Sequence, residues 1–282
     1  MIQIISDSTC DLSQDLKEKY NIMVVPLHIT LGDEDFKDGV DITQDEIYTW
    51  SDANNTTPKT AAVFLEEAIC ALKSVLDEGN EAVVFTIASG MSTTNNVFHL
   101  AVNELEAQDR VRVIDSANLS TGVGLQVIEA AQLAMEGKGL DEVVVAIERI
   151  TPKVRASFVV DTLTYLHRGG RCSGLAAMAG GMLKLHPKIV VKNGVMGAEK
   201  KYRGKITGAI LNYVKDMESD LLSAKKERVF ITHSGCEPEA INSVKEYLES
   251  LHHFDEILVT RAGGVVSSNC GPGTLGVLFI EE

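Results

Sequence analysis

The sequence lacks the spacings that cross-link a chain or build a structural metal site. Its five cysteines, Cys10, Cys70, Cys172, Cys236 and Cys270, are odd in number and widely scattered, with no CxxC pair and no histidine at zinc-ligand spacing. A disulfide framework and a structural metal are therefore not expected, and a reducing, cytoplasmic setting is. No charged leader precedes an apolar stretch, since residues 2–5 already read as a strand, so neither a signal peptide nor a membrane span is predicted. Basic residues are scarce: 26 Lys and Arg stand against 40 Asp and Glu, a formal net charge of −14. Duplex affinity rests largely on cations that neutralise phosphates, which argues against nucleic acid as a partner. Neither a GxxxxGK[ST] loop nor GxGxxG occurs in its required context, which removes the usual nucleotide folds. The run Gly90-Met91-Ser92-Thr93-Thr94 falls one glycine short of a GxSxG nucleophile elbow, and no histidine is placed as its base.

What is present is ordinary globular material: 282 residues, 45% hydrophobic and 23% charged, enough for two domains with two cores. The first half alternates strand and helix. Strands are expected at 2–5, 23–29, 81–87 and 112–115, and helices at 13–20, 43–51, 61–78, from about 97 to 106, 122–135 and 140–150. Thr43 with Glu46 three residues on reads as a capping box. Such alternation implies a parallel, doubly wound sheet with helices on both faces. Beyond Ile150 the pattern changes. Residues 188–199 read as a hairpin turning at Asn193-Gly194, the dipeptide a type I′ turn prefers, which signals a mixed sheet. Strands at 156–160, 228–233, 256–259 and 276–280 and helices at 206–222 and 238–251 complete this half. We expect one α/β domain over 1–150 and a second, mixed-sheet α/β domain over 151–282.

Several stretches carry chemistry. Ile87-Ala88-Ser89-Gly90-Met91-Ser92-Thr93-Thr94-Asn95 ends an apolar strand in small hydroxyl residues just before a helix. Free backbone N–H groups and the helix dipole there favour a carboxylate or phosphate, although a hydroxyl at that place also serves simply as a cap. Thr56-Thr57-Pro58-Lys59-Thr60 is a second hydroxyl loop, readable alone as a turn and cap, whose interest is convergence with the first beyond the strand ends. In Ser6-Asp7-Ser8-Thr9-Cys10-Asp11-Leu12 the acids disfavour direct contact with an anion, so Asp7 and Asp11 are expected to brace loops by accepting backbone N–H bonds. His167-Arg168-Gly169-Gly170-Arg171-Cys172-Ser173 sets two arginines on glycine turns, suited to an anionic partner or to solvent. The following 174–183 reads as a helix of small residues and methionines, which either leaves room for a flexible apolar ligand or packs closely on a sheet. Gly271-Pro272-Gly273 is expected to be a structural turn.

Together these segments resemble the DegV family of bacterial fatty-acid-binding proteins. Ser6-Asp7-Ser8-Thr9 with Asp11-Leu12 is similar to its SDST-x-DL opening, Ser89-Gly90-Met91-Ser92 with Thr94 to its SGLSGT loop, and Asp115-Ser116 with Ser120 and Gly122 to its DS-x(3)-S-x-G segment. Arg168-Gly169-Gly170-Arg171 resembles its K-x-GGR turn, Pro187-Lys188-Ile189 its KPI strand and Gly271-Pro272-Gly273 its GPG. The resemblance implies two α/β domains with a long-chain fatty acid between them. It places the carboxylate on Ser92 and Thr60; we expect Thr93 and Asn269 beside them, and the acyl chain against the small-residue and methionine helix of 174–183 at Ala177, Met178 and Met182. It implies no catalytic residue, metal or cofactor of the chain's own. Several family members present their lipid to a separate kinase subunit that makes an acyl phosphate, so Arg168, Arg171 and Arg203 are the expected docking cations of a monomeric carrier.

Three departures from the family pattern stand out. Thr56-Thr57-Pro58-Lys59-Thr60 replaces TSQPS and brings in a lysine, Thr93 stands where the loop usually has glycine, and Asn269 stands at the usual histidine. The alternative to a lipid carrier is an enzyme or phosphocarrier acting on a small carboxylated or phosphorylated metabolite in the same cleft. It predicts a short polar pocket instead of an apolar tunnel.

Overall fold

In the computed structural model, which describes residues 1–173 and 185–282, strands and helices alternate through the first half: β1 (Ile2–Asp7), α1 (Gln14–Lys19), β2 (Ile22–Val25), β3 (His28–Leu31), β4 (Glu34–Lys37), α2 (Gln44–Asn54), β5 (Lys59–Ala61), α3 (Leu65–Asp77), β6 (Glu81–Thr86), α4 (Thr94–Glu104), β7 (Val111–Asp115), α5 (Thr121–Met135) and α6 (Leu140–Ile150). The second half holds β8 (Val154–Val159), α7 (Thr164–Gly169), β9 (Cys172–Ser173), β10 (Leu185–Lys192), β11 (Val195–Arg203), α8 (Ile206–Lys215), α9 (Glu218–Leu222), β12 (Arg228–His233), α10 (Pro238–Ser250), β13 (Glu256–Arg261), α11 (Gly264–Cys270) and β14 (Leu275–Ile280).

Among the described residues, three sheets result. A wholly parallel sheet runs β2-β1-β6-β7, a small antiparallel one β4-β3-β5, and a seven-stranded mixed one β13-β12-β14-β8-β10-β11-β9. The α/β fold with a parallel and a mixed sheet is the one the sequence predicts. Strand order in the parallel sheet reverses between β1 and β6, so the loops that follow them flank a switch point, the usual crevice for a ligand in such sheets.

Helix α5 explains how the halves are held. Ten of its fifteen residues, from Thr121 to Ala131, are buried, because it packs on β1 and β6 on one side and on β8 and β14 on the other. One apolar cluster accordingly runs from Ile4, Phe85 and Val127 through to Ile189, Phe230 and Leu278.

Several predicted boundaries move. The single strand expected at 23–29 is two, β2 and β3, in different sheets, because Pro26 has no N–H with which to continue a ladder. The helix expected from 61 begins at Leu65, and Thr60 lies on β5, paired to Ile29. The helix expected over 206–222 breaks after Lys215, where Asp216 turns back to accept bonds from Lys200 and the Tyr202 hydroxyl. The stretch before Gly271 is a helix, α11, where no element was expected. The hairpin holds: Asn193 and Gly194 have φ of 51° and 73°, the left-handed pair a type I′ turn needs. The helix expected over 174–183, with Ala177, Met178 and Met182, lies outside the described residues.

Candidate functional site

The loop after β6 is shaped by carboxylates beneath it. Asp7 accepts the Ile87 N–H at 2.7 Å and the Thr9 N–H at 3.0 Å, and Asp115 accepts the Ser89 and Ala117 N–H groups. The loop therefore leaves β6 on fixed anchors. At its end the Ser92 hydroxyl accepts the Thr94 N–H at 3.3 Å and lies 2.9 Å from the Thr94 hydroxyl, which starts α4. Capping here is by Ser92, while Thr93 makes no side-chain cap and is exposed.

Beside this loop is a cavity of about 490 Å³, within the range of roughly 300–1,000 Å³ typical of small-molecule sites. Thr60, Ser92, Thr93 and Asn269 all line it. They arrive from β5, the β6–α4 loop and α11, and the Asn269 amide donates to the Thr60 hydroxyl at 3.5 Å, a long bond, and to Val265 O at 2.9 Å. The apolar wall comes from Leu27, Ile87, Met91, Leu119, Met196 and Val266. Leu119, Val266 and Cys270 also line a small pocket of about 30 Å³ that reaches Phe158 and Leu278 of the mixed sheet. Arg171 is the only charged side chain among the described residues lining the 490 Å³ cavity. Its guanidinium donates to Gly169 O at 2.6 Å. Arg168 and Arg203 are exposed and do not line the cavity.

A larger cleft of about 910 Å³ opens elsewhere between the two halves. Its cations are already committed: Lys188 and Lys192 to Glu199, Arg112 to Asp141 and Arg155 to Glu281. The hairpin tip packs on the β6–α4 loop, since a Cβ placed on Gly90 would stand 2.9 Å from Gly194 O. The smaller cavity, with hydroxyls at one side and aliphatic side chains behind, has the chemistry of a ligand site.

A family model described as "Uncharacterised protein, DegV family" matches residues 1–282. The chain belongs to the DegV family. A DegV domain-containing protein of Clostridium perfringens is 34% identical over 284 residues, covering 100% of this chain and 99% of the relative. Among solved structures, a fatty-acid-binding DegV family protein from Thermus thermophilus matches with a TM-score of 0.91 at 31% identity, over 100% of this chain and 99% of that one. A stearic-acid-binding protein from Eubacterium ventriosum matches with a TM-score of 0.86 at 26% identity, over 100% and 98% of the two chains.

In this DegV chain the cavity thiol is a poor nucleophile: burial pushes Cys270 up to about 12. No histidine is among the described residues that line the cavity to serve as its base. The wall residues Leu27, Met196, Val265 and Val266, and Asp38 beneath α11, are not among the residues expected from the sequence. The signal available for α11 was Gly263-Gly264 ahead of Val265-Val266, a backbone able to approach other groups closely and then an apolar face.

Proposed function

We propose that this chain binds a long-chain fatty acid, with its carboxylate on Ser92 and Thr60, flanked by Thr93 and Asn269, and its acyl chain between the two halves. The observation that carries the reading is the convergence of these four polar residues on one otherwise largely aliphatic cavity. The fatty-acid binding of the Thermus and Eubacterium relatives supports it. We place the division between the domains at 150/151, because no described strand of one half pairs with a strand of the other.

Hydroxyls suit a carboxylate that comes and goes, since an empty site then buries no unpaired charge. Affinity comes from the tail, at about 0.8 kcal/mol per buried methylene before ordering costs. In this reading the chain is a carrier, cytoplasmic and monomeric, that presents its lipid to a kinase catalytic subunit through Arg168, Arg171 and Arg203. Basic side chains on an acidic protein suit such an electrostatic contact. In a reconstituted mixture, Arg168→Ala with Arg203→Ala then lowers acyl-phosphate formation while lipid affinity stays unchanged; equal loss of both would reject the docking role.

The test of the main reading is native mass spectrometry of protein purified without added ligand, followed by denaturation and lipid analysis. A long-chain fatty acid in near one-to-one amount is expected. Recovery of polar metabolites alone would favour an enzyme or phosphocarrier of a small metabolite.

A further inference from the structure

Two buried carboxylates outside the cavity hold the helix that walls it. Asp11 is 6% exposed and Asp38 is 2% exposed. Each divides its oxygens the same way. Asp11 Oδ1 accepts the Gly263 N–H at 2.7 Å and its Oδ2 accepts the Ser120 hydroxyl at 2.5 Å. Asp38 Oδ1 accepts the Gly264 N–H at 2.7 Å and its Oδ2 accepts the Ser8 hydroxyl at 2.8 Å. Both carboxyl groups thus accept the first free N–H groups of α11, donors that no acceptor within the helix reaches. Each is also tied to a serine of the N-terminal half.

The two glycines are what this contact requires. A Cβ on Gly264 would lie 2.9 Å from Asp38 Oδ1 and 2.6 Å from Ile29 Cδ1, and one on Gly263 would lie 3.0 Å from Asp11 Oδ1. Four residues of the short helix that starts there, Val265, Val266, Asn269 and Cys270, line the 490 Å³ cavity. Asn269 lies five residues beyond the Gly264 anchor, about 7.5 Å along the axis at 1.5 Å per residue. Ser8 extends the connection to another wall, because its hydroxyl also accepts the N–H of Leu27 at 3.1 Å.

We propose that Asp11 and Asp38 are positioning residues that clamp the start of α11 and thereby set where Asn269 meets the ligand's head group. The proposal rests on the carboxylate-on-hydroxyl reading above. Neither aspartate touches the ligand; they act through the helix they hold.

The test compares two probes on delipidated protein, palmitic acid and hexadecanol, which share a tail and differ in the head group. Asp38→Ala is expected to weaken palmitic acid about tenfold, the scale of one hydrogen bond to a charged group, and hexadecanol less than twofold. Asp38→Asn, which keeps an oxygen for the Gly264 N–H, restores most of the loss. In an Asn269→Ala background, Asp38→Ala costs no further preference for acid over alcohol, because the two residues act on one contact. Equal losses for acid and alcohol, or additive losses in the double variant, overturn the proposal. If Asn269→Ala reduces the acid preference and Asp38→Ala does not, the clamp alone is rejected. If Asn269→Ala has no effect, the head-group reading falls with it. Should Asp38→Ala fail to fold, Ser8→Ala serves as the milder variant under the same comparison, read alongside the Gly264 amide resonance. That resonance must shift in Ser8→Ala together with the acid preference, and movement of neither overturns the proposal.

Discussion

A hydroxyl and a carboxylate suit each other at a site that must also stand empty, and the residue scale is where this can be measured. The Ser92 oxygen already accepts the Thr94 N–H, and with the Thr94 hydroxyl as donor in their 2.9 Å contact its own proton is available to a ligand. Removing a hydrogen bond to a charged group costs roughly 1.5–3 kcal/mol, about tenfold or more in affinity. Ser92→Ala and Thr60→Ala are each expected to weaken fatty-acid binding by that amount, read by calorimetry on delipidated protein. Thr60→Ala should leave the melting temperature nearly unchanged, since Thr60 is half-buried on a short strand. Unchanged affinity in both variants would reject the carboxylate assignment. The hydroxyls themselves were legible in the sequence as two clusters at strand and helix ends. Their partner Asn269 was legible only through the family resemblance, because nothing in an isolated Asn-Cys-Gly run says that it faces Thr60 across the fold.

At the scale of elements, what was legible followed periodicity and what was not followed contact. Strands β1, β6 and β7 and helices α5 and α6 fall close to where their apolar spacing puts them. Helix α11 did not announce itself, since only seven residues long it has almost no period to read and its start carries no side-chain cap. It forms because carboxylates from distant segments supply the acceptors that a serine or aspartate cap would normally bring. The Asp7 and Asp11 braces were foreseen in kind; Asp38 was hidden in a turn of unremarkable composition. A consequence follows for the glycine that this contact leaves no room to replace. Gly264→Ala forces a methyl against Ile29, Ile47 and Asp38 and is expected to destabilise the protein by about 1–3 kcal/mol, the usual cost of overpacking. Exposed Gly137, where a Cβ meets nothing within 4 Å, provides the control for backbone strain, since its φ of +82° makes Gly137→Ala costly without any clash. Denaturant midpoints of the two variants, set beside their fatty-acid affinities, separate the effects: only Gly264→Ala should also loosen the lipid.

Across the whole molecule, the same buried acids give stability an unusual pH dependence. Burial raises Asp7 to about 6 and Asp11 to about 8, against ordinary carboxylate values near 4, and Asp38 is raised for the same reason. The native state therefore binds more protons than the unfolded chain between pH 4 and pH 8, and stability falls as pH rises through that window. Other carboxylates act in the opposite sense and at lower pH. Glu199, held down by Lys188, and Asp216, held down by Lys200, contribute stability that is lost as pH falls through their depressed values. Acidification thus weakens the exposed pairs only after the interior acids have taken up their protons. The ligand-free protein is expected to melt at a higher temperature at pH 5 than at pH 8, and Asp11→Asn, which cannot ionise, should shrink that difference. Beyond burial, Asp38 raises Asp7, and Asp38 and Asp7 raise Asp11, so the transition belongs to the group rather than to a single residue. A melting temperature that is flat or rising from pH 5 to pH 8 would mean that the N–H groups of α11 and the serine hydroxyls outweigh burial and keep Asp11 and Asp38 ionised. In that case the clamp on α11 is a contact between a charge and a helix end throughout the neutral range, and ligand affinity should be as insensitive to pH there as stability is.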